Sequence, residues 1–298
     1  MSRSASKAIA SVLGLTITSV IADPIKYSYA TGAAGKKVQV ASSTVFESGW
    51  NILPDDGMPT IPGWDDGKFI LYFSAARINP PGGLPNKGYH CIGAAISDSP
   101  AGPFALNRIL SLVPLTKEEL LSIPAGFRDS NGDSYVIYKI DGNNLGDGSG
   151  ICGQSKNNPV PTPIMLQKLQ GDWMTPDGAP TEILGRDDND GPLIEAPSLN
   201  LRDGTYYLFS SSNCYSTRDY DVSYATAKSL DVMFDKAHAP AAPLLQSGDF
   251  GLSGPGGADV NQHGNKIAFH ANLNGDDAAT RGMWVATIEE NNGEVRIV

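Results

Sequence analysis

One acid, Glu195, stands alone among apolar and small residues in Leu193-Ile194-Glu195-Ala196-Pro197-Ser198-Leu199. Desolvation disfavours the charged form of a carboxyl so placed, which suits it to holding and giving up a proton near neutral pH. The plainer alternative is a strand-end glutamate facing water. His270 alternates with Phe269 and fits a satisfied core histidine, while His263 belongs to a turn at Gln262-His263-Gly264; neither establishes a metal. Cys91, Cys152 and Cys214 have no CxxC spacing and no histidine in ligand pattern beyond the neighbour His90, which argues against zinc. They allow one disulfide and one further thiol. Cys91 with Cys152, both in or beside loops, is the preferred pair, although all three pairings and a fully reduced chain remain open.

The strands and turns that would carry Glu195 belong to a unit repeated along the chain. A polar turn followed by an aromatic and β-branched run occurs at Lys26–Ala30, Asp66–Phe73, Gly132–Tyr138, Asp203–Phe209 and Gly264–His270. Each reads as the second strand of a hairpin. Small-residue strands follow at Val38–Ser43, Ile92–Ser97, Val222–Ala227 and Met283–Ile288. The last four hairpin signals are spaced by roughly 60 to 70 residues, as four-stranded propeller blades with long loops would be. The expectation is an all-β, five-bladed β-propeller, with a β-sandwich as the alternative. Helix signal is confined to Thr116–Leu121. In a propeller the innermost strand of each blade lines the axis, so the segment before each hairpin signal faces a shared centre.

Composition agrees. The 298 residues include 33 Gly and 21 Pro spread along the chain, as many short strands and tight turns require. A formal charge of −10 argues against nucleic acid and anionic lipid surfaces as main partners and leaves neutral ligands open. Residues 1–22 run from a weakly basic start through the mostly apolar Ala8–Ile21 to Ala22, which reads as a secretory signal peptide. That leaves 23–298 as one propeller domain of a secreted protein. Beyond this leader no stretch is apolar for the roughly 18 residues of a membrane span.

The stretch Ile194-Glu195-Ala196-Pro197-Ser198-Leu199, the turn Arg202-Asp203-Gly204, the strand Thr205–Ser210 and the run Tyr220–Ala227 together resemble the general-acid blade of glycoside hydrolase family 43. Phe269-His270-Ala271 with Arg281-Gly282-Met283-Trp284 resembles that family's last blade, and Ala125–Asp129 with Tyr135–Lys139 its third. The resemblance runs from about Asp23 to the C-terminus. It implies hydrolysis of arabinofuranosyl or xylosyl linkages in plant cell-wall saccharides with inversion, Glu195 as acid and Asp23, in Asp23-Pro24, as base. Inversion needs the two carboxyl groups roughly 6.5 to 9.5 Å apart to seat a water. Arg281 matches a last-blade arginine that reaches toward the bound sugar; a surface strand-end arginine is the alternative. Trp50, Trp64, Trp173 and Trp284 fit sugar stacking or packing between blades. No cofactor is expected, with an axial calcium or sodium ion left open; the partner is a neutral saccharide, and oligomeric state is not legible.

Two departures stand out. The family's third acid precedes the proline of blade three, but this chain reads Ser122-Ile123-Pro124. Asp129 lies nearby in a turn that it would cap. In addition Asp23-Pro24 runs almost directly into Lys26-Tyr27, and Trp64 into Asp65-Asp66-Gly67, as though blades one and two lacked innermost strands. These departures leave open a degenerate propeller that binds saccharides without cleaving them. A related fructan-active hydrolase, suggested by Arg128-Asp129, would need an early Asn-Asp-Pro nucleophile that this sequence does not contain.

Overall fold

The computed structural model describes residues 39–42, 51–56, 69–76, 90–99, 103–109, 121–144, 151–154, 159–261 and 263–298. Asp23, the segment 1–22 and the first hairpin signal lie outside the described residues, as does Thr116–Leu121 except Leu121, which opens a strand.

Among the described residues five antiparallel sheets follow one another along the chain. The first pairs β1 (Gln39–Ser42) with β2 (Asn51–Asp56). The second orders β3 (Phe69–Ala76), β4 (His90–Ser97) and β5 (Ala105–Ile109). The third has four strands: β6 (Leu121–Arg128), β7 (Ser134–Ile140), β8 (Ile164–Leu169) and β9 (Thr181–Leu184). The fourth runs β10 (Ile194–Arg202), β11 (Thr205–Ser212), β12 (Ser223–Ala227) and β13 (Asp235–Lys236). The fifth runs β14 (Gly256–Val260), β15 (Lys266–Asn274), β16 (Asp277–Asn291) and β17 (Glu294–Ile297). Innermost strand β10 packs beside β6 on one side and β14 on the other. The architecture is an all-β, five-bladed propeller. Among the described residues sheets one and two hold two and three strands.

The core is a series of seams between consecutive blades, because a blade is apolar on both faces. Along β7 the faces alternate with the period of two that a strand imposes. Val136 and Tyr138 pack against Tyr72, Ile92 and Ala94 of blade two, while Ile137 joins Ile194, Leu199 and Leu208 of blade four. Tyr207 and Phe209 of β11 face the other way, onto Ile267 and Phe269 of blade five.

Three innermost strands share one irregularity at their starts. The register slips between Ser122 and Ala125, between Glu195 and Ser198, and between Gly256 and Asp259. The residue after the first position of each slip has positive φ: Ile123 at 52°, Ala196 at 54° and Gly257 at 62°. Two of these bulges carry a proline next, which a bulge accommodates and a regular ladder does not. The bulge kinks each strand where it reaches the centre, so Ser122, Glu195 and Gly256 occupy equivalent places.

Candidate active site

Glu195 is the second residue of β10 and is 9% exposed. Its surroundings are not the apolar shell that the sequence suggests. Lys139 Nζ donates to Glu195 Oε2 at 3.1 Å, and the Tyr220 hydroxyl donates to Oε1 at 2.9 Å. Both carboxyl oxygens thus accept, one from an ammonium and one from a phenol.

Lys139 reaches Glu195 because of strand parity. It lies two residues beyond Ile137 on β7, on the face turned toward blade four, and its side chain is 2% exposed. Its ammonium also contacts Asp141 Oδ1 at 3.2 Å. Asp141 Oδ2 in turn meets His90 Nδ1, at the start of β4, at 2.8 Å. Burial opposes ionisation of Asp141, but the His90 hydrogen bond and the Lys139 charge outweigh it and hold the carboxyl below its ordinary range.

Tyr220 is buried, and burial together with the Glu195 charge pushes its phenol well above 10. It therefore stays a hydroxyl donor at any working pH. Its ring stacks on His270 at 5.9 Å, and Arg281 lies 5.4 Å from its centroid. Arg281 is not placed as the resemblance implies. It is 1% exposed, and each of its N–H directions is taken by the protein. Nε donates to His270 Nδ1 at 2.7 Å, Nη1 to Tyr215 O and Asn272 Oδ1, and Nη2 to Gly254 O and His270 O. A guanidinium has five donors, so none is left for a sugar. Arg281 instead buttresses Tyr220 and ties the β11–β12 connection to the segment ahead of β14. Burial lowers its own pKa to about 10. His270 accepts at Nδ1, and burial and then the Arg281 charge hold it neutral, well below its ordinary range. It is a satisfied core histidine.

The loops above the site are tied together. The disulfide joins Cys152 to Cys214, between the β7–β8 and β11–β12 connections, with Cα atoms 5.8 Å apart. This corrects the preference for Cys91 with Cys152. Cys91 lies within β4, paired in register with Ala75 and buried, whereas Cys152 and Cys214 are on facing loops of neighbouring blades. Tyr215, next to Cys214, is 48% exposed.

Asp129 caps its turn, accepting from Ser130 N at 2.7 Å and from the Tyr206 hydroxyl at 3.0 Å, away from Glu195. Of the expected site residues, the structure thus places Glu195 at the centre and Arg281 behind it, and Asp23 is outside the described residues. Sequence alone does not single out Lys139 and Tyr220 as the partners of Glu195, nor Asp141 and His90 behind Lys139. The signal for Lys139 was present: a lysine on the Ile137 face of an otherwise apolar strand is a buried charge in need of an anion. No group of three or more His, Cys, Asp or Glu side chains among the described residues is arranged to hold a metal ion.

Comparison with known proteins shows the family. The model of the family "Glycosyl hydrolases family 43" matches residues 63–293. A curated relative, the "Extracellular endo-alpha-(1->5)-L-arabinanase 1" of Bacillus subtilis, is 35% identical over 116 residues, covering 36% of this chain and 35% of the relative. The match thus spans about a third of that protein. Among solved structures, a thermostable family-43 glycoside hydrolase superposes with TM-score 0.70 at 22% identity, over 92% of this chain and 91% of that one. A family-43 endo-arabinanase from Bacillus licheniformis gives TM-score 0.62 at 18% identity, over 95% and 99%. At these identities the structures share the fold, and the family match over most of the chain decides the relationship: this protein belongs to glycosyl hydrolases family 43.

Proposed function

We propose that the chain is a secreted glycoside hydrolase acting on arabinofuranosyl or xylosyl linkages of plant cell-wall saccharides, with Glu195 as proton donor, Asp23 as base and inversion at the anomeric carbon. The observation that carries this reading is Glu195 at the kinked start of β10, buried yet held from both sides by Lys139 and Tyr220. Glu195 gives its proton to the glycosidic oxygen as the bond to the anomeric carbon breaks. A water on the opposite face forms the new bond and gives its proton to Asp23. The carboxylate left on Glu195 is then the species that Lys139 and Tyr220 stabilise. Tyr215 offers an exposed ring on which a sugar face can stack. Export is supported by the Cys152–Cys214 disulfide, which persists in oxidising compartments, and by the extracellular location in the name of the Bacillus subtilis relative.

The test is hydrolysis of arabino- and xylo-oligosaccharides by the purified protein, with the product anomer followed by proton NMR. Glu195→Gln, which keeps the shape and removes the acid, should reduce turnover at least a thousandfold with unfolding unchanged. Retained activity removes Glu195 from the mechanism, and a retained anomeric configuration removes Asp23 as a base. A second reading, saccharide binding without cleavage, is favoured by Ser122-Ile123-Pro124, where the family resemblance expects an acid. Binding by the wild type with no turnover would support it.

A further inference from the structure

At each of three described seams between blades, one residue of the second strand faces the bulge of the next blade. Ser74 of β3 accepts from Ile123 N at 2.6 Å, and Ser211 of β11 accepts from Gly257 N at 2.8 Å. Tyr72 and Phe209, two residues earlier, share those faces and pack on blades three and five respectively. At the remaining described seam the equivalent residue is Lys139, opposite Ser122 in the register and two residues past Ile137. An ammonium only donates, so Lys139 cannot take the serine's part as acceptor of a bulge amide. It turns to Glu195 and brings Asp141 with it.

We propose that Lys139 and Asp141, anchored by His90 from blade two, are the positioning residues that set the protonation of Glu195, in the role left vacant ahead of Pro124. This rests on the reading of Glu195 as proton donor. The reasoning is charge balance. Buried charge is costly unless compensated. Lys139 and Asp141 neutralise one another, so the three-residue group is neutral when Glu195 holds a proton and carries one negative charge when it does not. The lysine alone would trap Glu195 as an anion; Asp141 relieves that trap. The other groups around Glu195 are the Tyr220 hydroxyl from the β11–β12 connection and, behind it, Arg281 and neutral His270 from blade five. Arg281 favours the anion in every variant considered and so shifts all of them together.

The two residues must then act in opposite directions. Asp141→Asn leaves Glu195 with an unopposed cation, so the alkaline limb of kcat/KM should move down by at least one pH unit. Lys139→Met leaves two carboxyl groups sharing the site, and the limb should move up by as much. Lys139→Arg should restore the wild-type position. The experiment is the pH profile from 4 to 9 on 4-nitrophenyl arabinofuranoside and xyloside, beside titration of the Glu195 side-chain carboxyl by carbon-13 NMR, assigned with Glu195→Gln. Opposed shifts support the proposal; shifts of the same sign, or none, overturn it. If the wild type cleaves nothing, the NMR titration still decides, because it needs no turnover: opposed shifts would then uphold the lysine–aspartate pair while the hydrolase reading falls. Should Lys139→Met fail to fold, the direction of the Asp141→Asn shift alone decides.

Discussion

Glu290 of β16 is buried at the seam between blades four and five, where Asn200 of β10 donates to its Oε2 at 2.8 Å. Its Oε1 and the Asn200 Oδ1 are both buried with no hydrogen-bond partner among the described residues. A proton on the carboxyl satisfies both oxygens if Oε1 donates to Asn200 Oδ1, closing a two-bond acid–amide pair. Burial raises the carboxyl from its ordinary 4.5 to about 7, opposed by the Asn200 hydrogen bond and the Arg202 charge. Between those two values the folded protein therefore binds a proton that the unfolded chain has released. Stability is full below pH 4.5, falls as pH rises to 7 and is flat above. At 1.36 kcal/mol per pH unit the loss is about 3 kcal/mol. Glu290→Gln preserves shape, and its amide can close both hydrogen bonds at any pH. The variant should match the wild type within about 1 kcal/mol at pH 4 and exceed it by about 3 kcal/mol at pH 8, measured by urea unfolding across that range. Asp221, pushed up to about 6 by burial against the Ser212 hydrogen bonds, adds a slope of the same sign to both proteins and cancels in the difference. A difference between variant and wild type that is the same at pH 4 and pH 8 would refute the protonated pair.

Two further outcomes follow from the site's supports. Replacing both Cys152 and Cys214 by Ser opens a loop of 62 residues and should lower stability by about 4 kcal/mol on the chain-entropy account, read as a lower urea midpoint; an unchanged midpoint would show that the bond constrains nothing. Arg281→Lys breaks most of the buried hydrogen bonds around His270 and Gly254 and should cost about 3 kcal/mol in unfolding, with kcat falling more than KM changes because Tyr220 loses its backing. A rise in KM alone, at unchanged stability, would return Arg281 to the sugar-binding role that its burial argues against.

Much of the fold is written locally. The turn-plus-aromatic signals mark β3, β7, β11 and β15, and the small-residue runs mark β1, β4, β12 and β16. They are legible because a hairpin turn and a strand's alternation involve residues close in sequence. The Thr116–Leu121 helix signal is overruled at Leu121, which pairs with Ile140 at the start of β6. Within the site, Glu195 was legible as a lone acid in an apolar run. Its partners were not, since Lys139 lies 56 residues away and Tyr220 lies 25 away.

The all-β class, the repeat of blades and the acid near the head of β10 are encoded locally, because they depend on turn chemistry and side-chain periodicity. That Lys139 and Tyr220 hold that acid, that Arg281 is enclosed with its donors spent, and that Cys214 bonds to Cys152 emerge only when the blades pack. Each of those is a contact across a seam between blades, and which residues meet there is set by how one twisted sheet packs on the next.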